Sequence, residues 1–269
     1  MPKLRVRDTE LYYDDTAGPD GRETIVFSHG LLMNGDMFAD QAAALADRYR
    51  SVRYDHRGQG RSAESDLRSI DMGEVTADAI ALIEALRIAP VHFVGLSMGG
   101  FVGLRIAARR PELLRSLVLL ETSADAEPAK NLPRYRALTL ASRLFGSRGL
   151  AGQILPILFG RTFLSDPRRA GRRAEWEAWL RGQRRSIWRA VNGVLERETV
   201  APELARITLP TLIVVGDEDV ATGPDRSERI HRGIAGSRLV RIPRAGHSST
   251  IEEPEAVTAA IRAFLAALA

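Results

Sequence analysis

Gly95-Leu96-Ser97-Met98-Gly99-Gly100 stands between a short apolar run at residues 91–94 and a longer periodic run at residues 98–108. The first run, Val-His-Phe-Val, reads as a strand. The second repeats apolar residues at helical spacing and has Pro111 beyond its end. A G-x-S-x-G turn from strand to helix is the setting of a nucleophile elbow. Such a turn holds serine in a strained backbone, and a side chain at either flanking glycine would clash. It lifts the Ser97 hydroxyl above the sheet edge at a helix N-terminus, where backbone N–H groups face a developing oxyanion. The bland alternative is a Gly-rich turn with an incidental serine, and the flanking strand and helix weigh against it.

Outward from this turn the chain alternates. Strands are predicted at residues 4–6, 11–13, 24–28, 51–54, 91–94, 116–120, 211–215 and 238–242. Helices are predicted at 37–46, 72–86, 98–108, 224–234 and 254–268. Strands separated by helices of this length imply right-handed crossovers and a mainly parallel sheet, so the fold class is α/β. Residues 124–200 break the pattern. They hold Lys130 and fourteen arginines against seven acids, all three tryptophans (Trp176, Trp179 and Trp188), and helical texture at 134–145 and 173–195. This predicts a core of residues 1–123 and 201–269 with a helical insert at 124–200.

Composition removes several chemistries. The 269 residues include no cysteine, which excludes disulfides, thiol catalysis and Cys-ligated metal. The five histidines, His29, His56, His92, His231 and His247, show no metal-ligand spacing, so no metal site is expected. The N-terminus lacks the apolar core of a signal peptide, and no stretch approaches 18 apolar residues. A soluble cytoplasmic protein is expected, with neither a membrane nor a nucleic acid as partner. The net charge of +4 is small for the length. Homo-oligomeric assembly is compatible with the sequence.

A serine hydroxyl is a poor nucleophile near neutral pH and needs a general base, which in turn needs an acid to fix its tautomer. Two histidines follow Ser97. His231 lies inside the predicted helix 224–234 and reads as an exposed helical residue. His247 lies in Arg244-Ala245-Gly246-His247-Ser248-Ser249, just past the last strand, at the sheet edge where sites collect. Gly216-Asp217-Glu218-Asp219 follows the strand 211–215 and offers three carboxylates, and Glu121 at the end of strand 116–120 offers a fourth.

Together these motifs resemble the α/β-hydrolase fold superfamily. Ser28-His29-Gly30-Leu31 is similar to its His-Gly oxyanion turn. Tyr54-Asp55-His56-Arg57-Gly58-Gln59-Gly60-Arg61-Ser62 is similar to its structural D-x-R-G-x-G-x-S turn, which gives Asp55, His56 and Arg57 no catalytic role. The resemblance implies the chain order serine, acid, histidine, and a Gly-x-x-Asp turn that selects Asp219. Asp217 is then expected to fix the turn and Glu218 to face solvent. It also implies backbone donors at Leu31 and Met98, no cofactor, and a cap formed by the insert. The expected triad is Ser97, His247 and Asp219, with Ser97 Oγ in hydrogen-bond reach of the imidazole.

Within the superfamily, Gly95–Gly100, Gly216–Thr222 and Ala245–Ser249 with Ile251-Glu252-Glu253-Pro254 look most like the 3-oxoadipate enol-lactonase branch and neighbouring small serine esterases. The resemblance implies hydrolysis of a small carboxylic ester or lactone through an acyl-enzyme. C–C bond hydrolysis of ring-cleavage products, cofactor-free perhydrolysis and a ligand receptor on the same scaffold are the alternatives. The insert's arginines are either a solvated helical face or a source of one or two side chains for a substrate carboxylate, with Arg134, Arg136, Arg143 and Arg189 as candidates. The face bearing Trp176, Trp179 and Leu180 either packs the insert onto the core or lines the pocket.

Overall fold

The eight runs read as strands assemble into one eight-stranded sheet in the computed structural model, which describes residues 2–17 and 21–268. Met1, residues 18–20 and Ala269, included in the expected core boundaries, lie outside the described residues. The strands are β1 (Lys3–Val6), β2 (Thr9–Asp15), β3 (Thr24–Ser28), β4 (Arg50–Tyr54), β5 (Val91–Leu96), β6 (Leu114–Leu120), β7 (Thr211–Gly216) and β8 (Arg238–Ile242). Their order across the sheet is β1-β2-β4-β3-β5-β6-β7-β8. β2 runs antiparallel to both β1 and β4, and every other pairing is parallel. The nucleophile strand β5 therefore lies centrally, between β3 and β6.

The central strands are buried on both faces because helices cover both. Successive side chains alternate between two apolar clusters, as the strand period of two requires. On β6, Leu117 and Leu119 join one cluster with Leu82 of α2 (Met72–Ala85) and Val102 of α3 (Met98–Arg109). Val118 and Leu120 join the other, with Leu45 of α1 (Ala39–Leu45) and with Ile261.

Between β6 and β7 come α4 (Leu132–Phe145), α5 (Ala151–Leu158), α6 (Arg161–Ser165), α7 (Ala170–Arg181) and α8 (Trp188–Leu195). The chain then closes with α9 (Pro224–Gly233), α10 (Ser249–Glu252) and α11 (Pro254–Ala266). The helical texture expected over 173–195 is divided between two helices, α7 and α8. Gly182 ends α7, Arg184 is extended at ψ 147°, and a 3₁₀ turn at Arg185–Ile187 leads into α8. α5 and α6 fall between the two stretches of helical texture, where no element was predicted; Gly149, Gly152, Gly160 and the internal Pro156 weaken the helical pattern there. The inserted helices share the core instead of keeping one of their own. Trp176 and Leu180 enter the cluster of Val118 and Leu120, and Ile187 and Ala190 enter that of Leu117.

Candidate active site

Ser97 ends the turn between β5 and α3 with φ +52° and ψ −109°, a backbone that ordinary side chains avoid. The strain is held from three sides. Ser97 N–H donates to the Leu120 carbonyl at 2.8 Å, while the Ser97 carbonyl accepts from Thr122 Oγ1 at 2.8 Å and Phe101 N–H at 2.9 Å. The two flanking glycines are steric necessities. A Cβ on Gly95 would stand 2.3 Å from the Gly99 carbonyl oxygen, and one on Gly99 would stand 1.9 Å from that of Ser28.

His247 lies in the loop after β8, buried, with Nδ1 at 3.1 and 3.0 Å from the two carboxylate oxygens of Asp219. Asp219 is itself fixed. Its Oδ1 accepts from the N–H groups of Ala221 at 2.8 Å and Thr222 at 3.1 Å, and Thr222 Oγ1 donates to Oδ2 at 3.0 Å. Burial pushes the Asp219 carboxyl up, but His247 and the two N–H donors outweigh it and hold it below its ordinary value. Of the two rival carboxylates in this turn, Asp217 turns outward to Arg241 at 2.6 Å and does not fix the turn. Glu218, expected in solvent, is instead tied to the insertion through Thr162 N–H at 2.8 Å and Thr162 Oγ1 at 2.6 Å. Its turn lies under the insertion, a tertiary contact that a local reading cannot supply.

Ser97 and His247 border one cavity, though no hydrogen bond joins them in this structure. The expected contact is thus not made here; catalytic hydrogen bonds are often long before substrate binds. Glu121 is fully buried with Oε1 accepting from Gly216 N–H at 3.1 Å, and it makes no hydrogen bond with His247. Burial, reinforced by the nearby Asp219 charge, raises its carboxyl well above the usual range. His231 is exposed on α9 and bonds Ser237. Asp55, His56 and Arg57 are buried and do not border the cavity.

The turn at Leu31 is shaped from several directions. His29 Nδ1 lies 2.7 Å from the Gly30 carbonyl oxygen, and its Nε2 accepts from His56 N–H at 2.9 Å. Burial lowers the His29 pKa, which keeps the ring neutral for these two roles. Gln59 Oε1 accepts from Leu32 N–H at 3.0 Å, and the Leu32 carbonyl accepts from Trp179 Nε1 at 2.9 Å and Gln183 Nε2 at 3.2 Å. Leu32 is held at φ +68°. The N–H groups of Leu31 and Met98 meet no acceptor among the described residues, which leaves both open to a ligand.

The sequence reading missed Glu252. It is buried at 1% exposure and accepts from Gly160 N–H at 2.9 Å, Gly246 N–H at 2.9 Å and Ser248 N–H at 3.0 Å. One carboxylate thus holds both neighbours of His247 and the insertion. Burial pushes it up to about 7, against the opposing pull of the three N–H groups and His247. The spacing His247 to Glu252 carries no pattern that announces this. The Gly160–Gly246 contact gives a weak signal, since a Cβ on Gly246 would stand 2.2 Å from Gly160 N.

The cavity has a volume of about 150 Å³ and its far wall comes from the insertion, including Leu138, Ile154, Leu158, Ile187 and Val194. Arg134, Arg136, Arg143 and Arg189, the candidates for holding a substrate carboxylate, do not border it. Arg197 does, but it is paired with Glu127 at 2.9 Å, and both side chains are below a tenth exposed. Of the two readings of the insertion's arginines, the cavity lining supports the solvated face: the four candidates lie away from the cavity, and the arginine that borders it is neutralised by Glu127. Leu180 borders the cavity while Trp176 is buried in the core, so the Trp176–Leu180 face does both things expected of it. Among the described residues no cluster of three or more His, Asp or Glu is placed to hold a metal ion.

Residues 23–254 match the alpha/beta hydrolase fold family. The chain is 30% identical over 248 residues to "Putative carbamate hydrolase RutD" of Pseudomonas syringae pv. syringae, covering 90% of this chain and 93% of that one. The enol-lactonase from Burkholderia xenovorans LB400 superposes with a TM-score of 0.91 at 29% identity, covering 98% and 100% of the two chains. A thermophilic esterase from Thermogutta terrifontis gives a TM-score of 0.91 at 25% identity, covering 100% and 99%.

Proposed function

Because the chain belongs to the alpha/beta hydrolase fold family, we propose that it is a serine hydrolase cleaving a small, neutral carboxylic ester or lactone through Ser97, His247 and Asp219. The observation that carries this reading is the contact of Asp219 with His247 Nδ1 beside a strained Ser97 on one apolar cavity. With Nδ1 engaged, Nε2 is the nitrogen left to take a proton.

His247 Nε2 removes the Ser97 proton as Oγ adds to the carbonyl carbon. The oxyanion accepts from the Leu31 and Met98 N–H groups, each worth about 3–4 kcal/mol in comparable sites. The C–O bond then breaks, and the alkoxide leaves with the proton from His247. Water repeats the sequence on the acyl-enzyme and frees the acid and Ser97. Asp219 stays ionised throughout, holding the tautomer and the imidazolium. The insertion acts as the cap that supplies the acyl wall. A neutral substrate is favoured because the wall is apolar and its one arginine already has a carboxylate.

The test is hydrolysis of a panel of esters, lactones, carbamates and vinylogous diketones by the protein and its Ser97→Ala variant. The carbamate arm is set by the relative named for that activity, and the diketone arm reports C–C cleavage. Turnover is expected on neutral esters or lactones, abolished by Ser97→Ala, with a serine-directed phosphonate labelling Ser97. Equal rates for the two proteins on every ester and lactone would sink the proposal.

A further inference from the structure

We infer that the outward face of α4 docks on an anionic lipid surface, while the inward face of the same helix lines the apolar cavity. The two faces separate cleanly by helical spacing. Tyr135, Leu138, Thr139 and Ser142 border the cavity. Arg136, Leu140, Arg143 and Leu144 stand on the opposite side and are exposed, with Phe145 at the helix end. Leu140, Leu144 and Phe145 are 55%, 54% and 80% exposed, and among the described residues only two other large apolar side chains are exposed to a comparable degree.

The charge around this patch has one sign. Residues 128–165 contain no acid, but hold Lys130, Arg134, Arg136, Arg143, Arg148 and Arg161. Arg161 pairs with Glu218, whereas among the described residues the other five have no carboxylate partner. Glu127, the acid just before this stretch, is taken by Arg197. Arg143 lies over the Trp188 ring at 4.6 Å, and Arg185 reaches the Leu144 carbonyl at 3.1 Å, so further cations gather at the same end of the helix. Protein surfaces ordinarily mix the two signs.

Cations alone would suit a phosphate backbone or an acidic protein. Three exposed apolar side chains among them change the partner. A nucleic acid backbone offers nothing to bury Leu140, Leu144 and Phe145, whereas a lipid interface takes the apolar side chains below its headgroups and pairs the arginines with the headgroups. The expectation that no membrane is a partner rested on the lack of a spanning segment. Among the described residues no helix is long and apolar enough to cross a membrane, and surface docking requires none. The docking goes beyond the proposed hydrolysis and does not depend on it.

Sedimentation with vesicles tests this without any catalytic readout. The protein is expected to pellet with phosphatidylcholine vesicles containing phosphatidylglycerol and to stay in solution with phosphatidylcholine alone. Raising the salt from about 0.05 to about 0.5 M should release it, because the headgroup attraction is screened. Phe145→Ser, and separately the triple change Arg136→Gln, Arg143→Gln and Arg148→Gln, should each lower the bound fraction by about tenfold. Thermal melts confirm folding, and Leu144→Ser replaces any variant that melts early. A wild-type protein that ignores anionic vesicles overturns the inference. So does vesicle binding that Phe145→Ser and Leu144→Ser leave unchanged, or binding to an oligonucleotide in place of vesicles.

Discussion

Three buried carboxyls, Asp219, Glu121 and Glu252, lie near one another at the proposed site, and only Asp219 hydrogen-bonds the imidazole. They differ in what they touch. Asp219 meets Nδ1, Glu121 accepts from Gly216 N–H, and Glu252 accepts from three backbone N–H groups on either side of the ring and in the insertion. The proposed triad therefore predicts unequal effects. Asp219→Asn should lower kcat by about 10³–10⁴, since the amide favours the wrong tautomer. Ser97→Ala and His247→Ala should each cost about 10⁶ in kcat. Glu121→Gln should change kcat by less than about threefold, because an uncharged carboxyl and an amide both accept from Gly216. Steady-state kinetics on one neutral ester checks all four, and a severe Glu121→Gln with a mild Asp219→Asn would reverse the acid assignment. The candidate residues at this scale were legible because Gly-x-x-Asp and Gly-His mark strand ends. Glu252 was not, because its partners are backbone N–H groups in two segments distant in sequence.

At the scale of elements, the alternation of apolar runs with turn signals made all eight strands legible: the central runs are buried along their length, and the edge strands β1, β2 and β8 are short β-rich runs bounded by turn residues. The insertion was read less well. Its helices are short, its glycines and Pro156 mimic loops, and the break at 182–184 is a change of packing partner: α7 serves one core cluster and the Ile187–Ala190 segment serves the other. That packing has a functional edge. Trp179 of α7 donates to the Leu32 carbonyl, next to the proposed donor Leu31, while Gln59 grips the Leu32 N–H from the core side. Trp179→Phe keeps an aromatic side chain, smaller than the indole, and removes the donor. It should lower kcat by about three- to tenfold while costing about 1 kcal/mol of stability or less. Kinetics paired with thermal melts separates the two effects, and unchanged kcat would show that Gln59 and Gln183 hold the turn without Trp179. By contrast Gly99→Ala puts a methyl 1.9 Å from the Ser28 carbonyl oxygen. It should destabilise the fold by about 3 kcal/mol or more, read from a denaturant midpoint.

For the whole molecule, the insertion and the sheet are joined where carboxylates meet backbone. Glu218 holds Thr162 from the turn after β7, and Glu252 holds Gly160 together with both neighbours of His247. The second joint is the one that titrates near neutrality, because the Glu252 carboxyl is pushed up to about 7 from an ordinary 4.5. Below about 4.5 Glu252 is protonated in both folded and unfolded chains and adds no pH dependence. Between about 4.5 and about 7 the folded chain keeps a proton that the unfolded chain has lost, so stability falls as pH rises through this window. Above about 7 both are ionised and the loss is complete, at about 3 kcal/mol from the size of the shift. Asp219 acts in the opposite sense. Its lowered carboxyl contributes stability that is present above its ordinary 3.8 and disappears as pH falls below that value. The two windows scarcely overlap, so they can be told apart in one titration. Glu252→Gln cannot ionise and cannot satisfy all three N–H groups, since its amide nitrogen would face one of them. It should therefore be less stable than wild type at low pH, with a gap that narrows steadily from about pH 5 to about pH 8. Urea midpoints of the two proteins across that range measure the gap. A constant gap would mean that Glu252 does not titrate there, and that the joint between insertion and His247 loop is insensitive to pH.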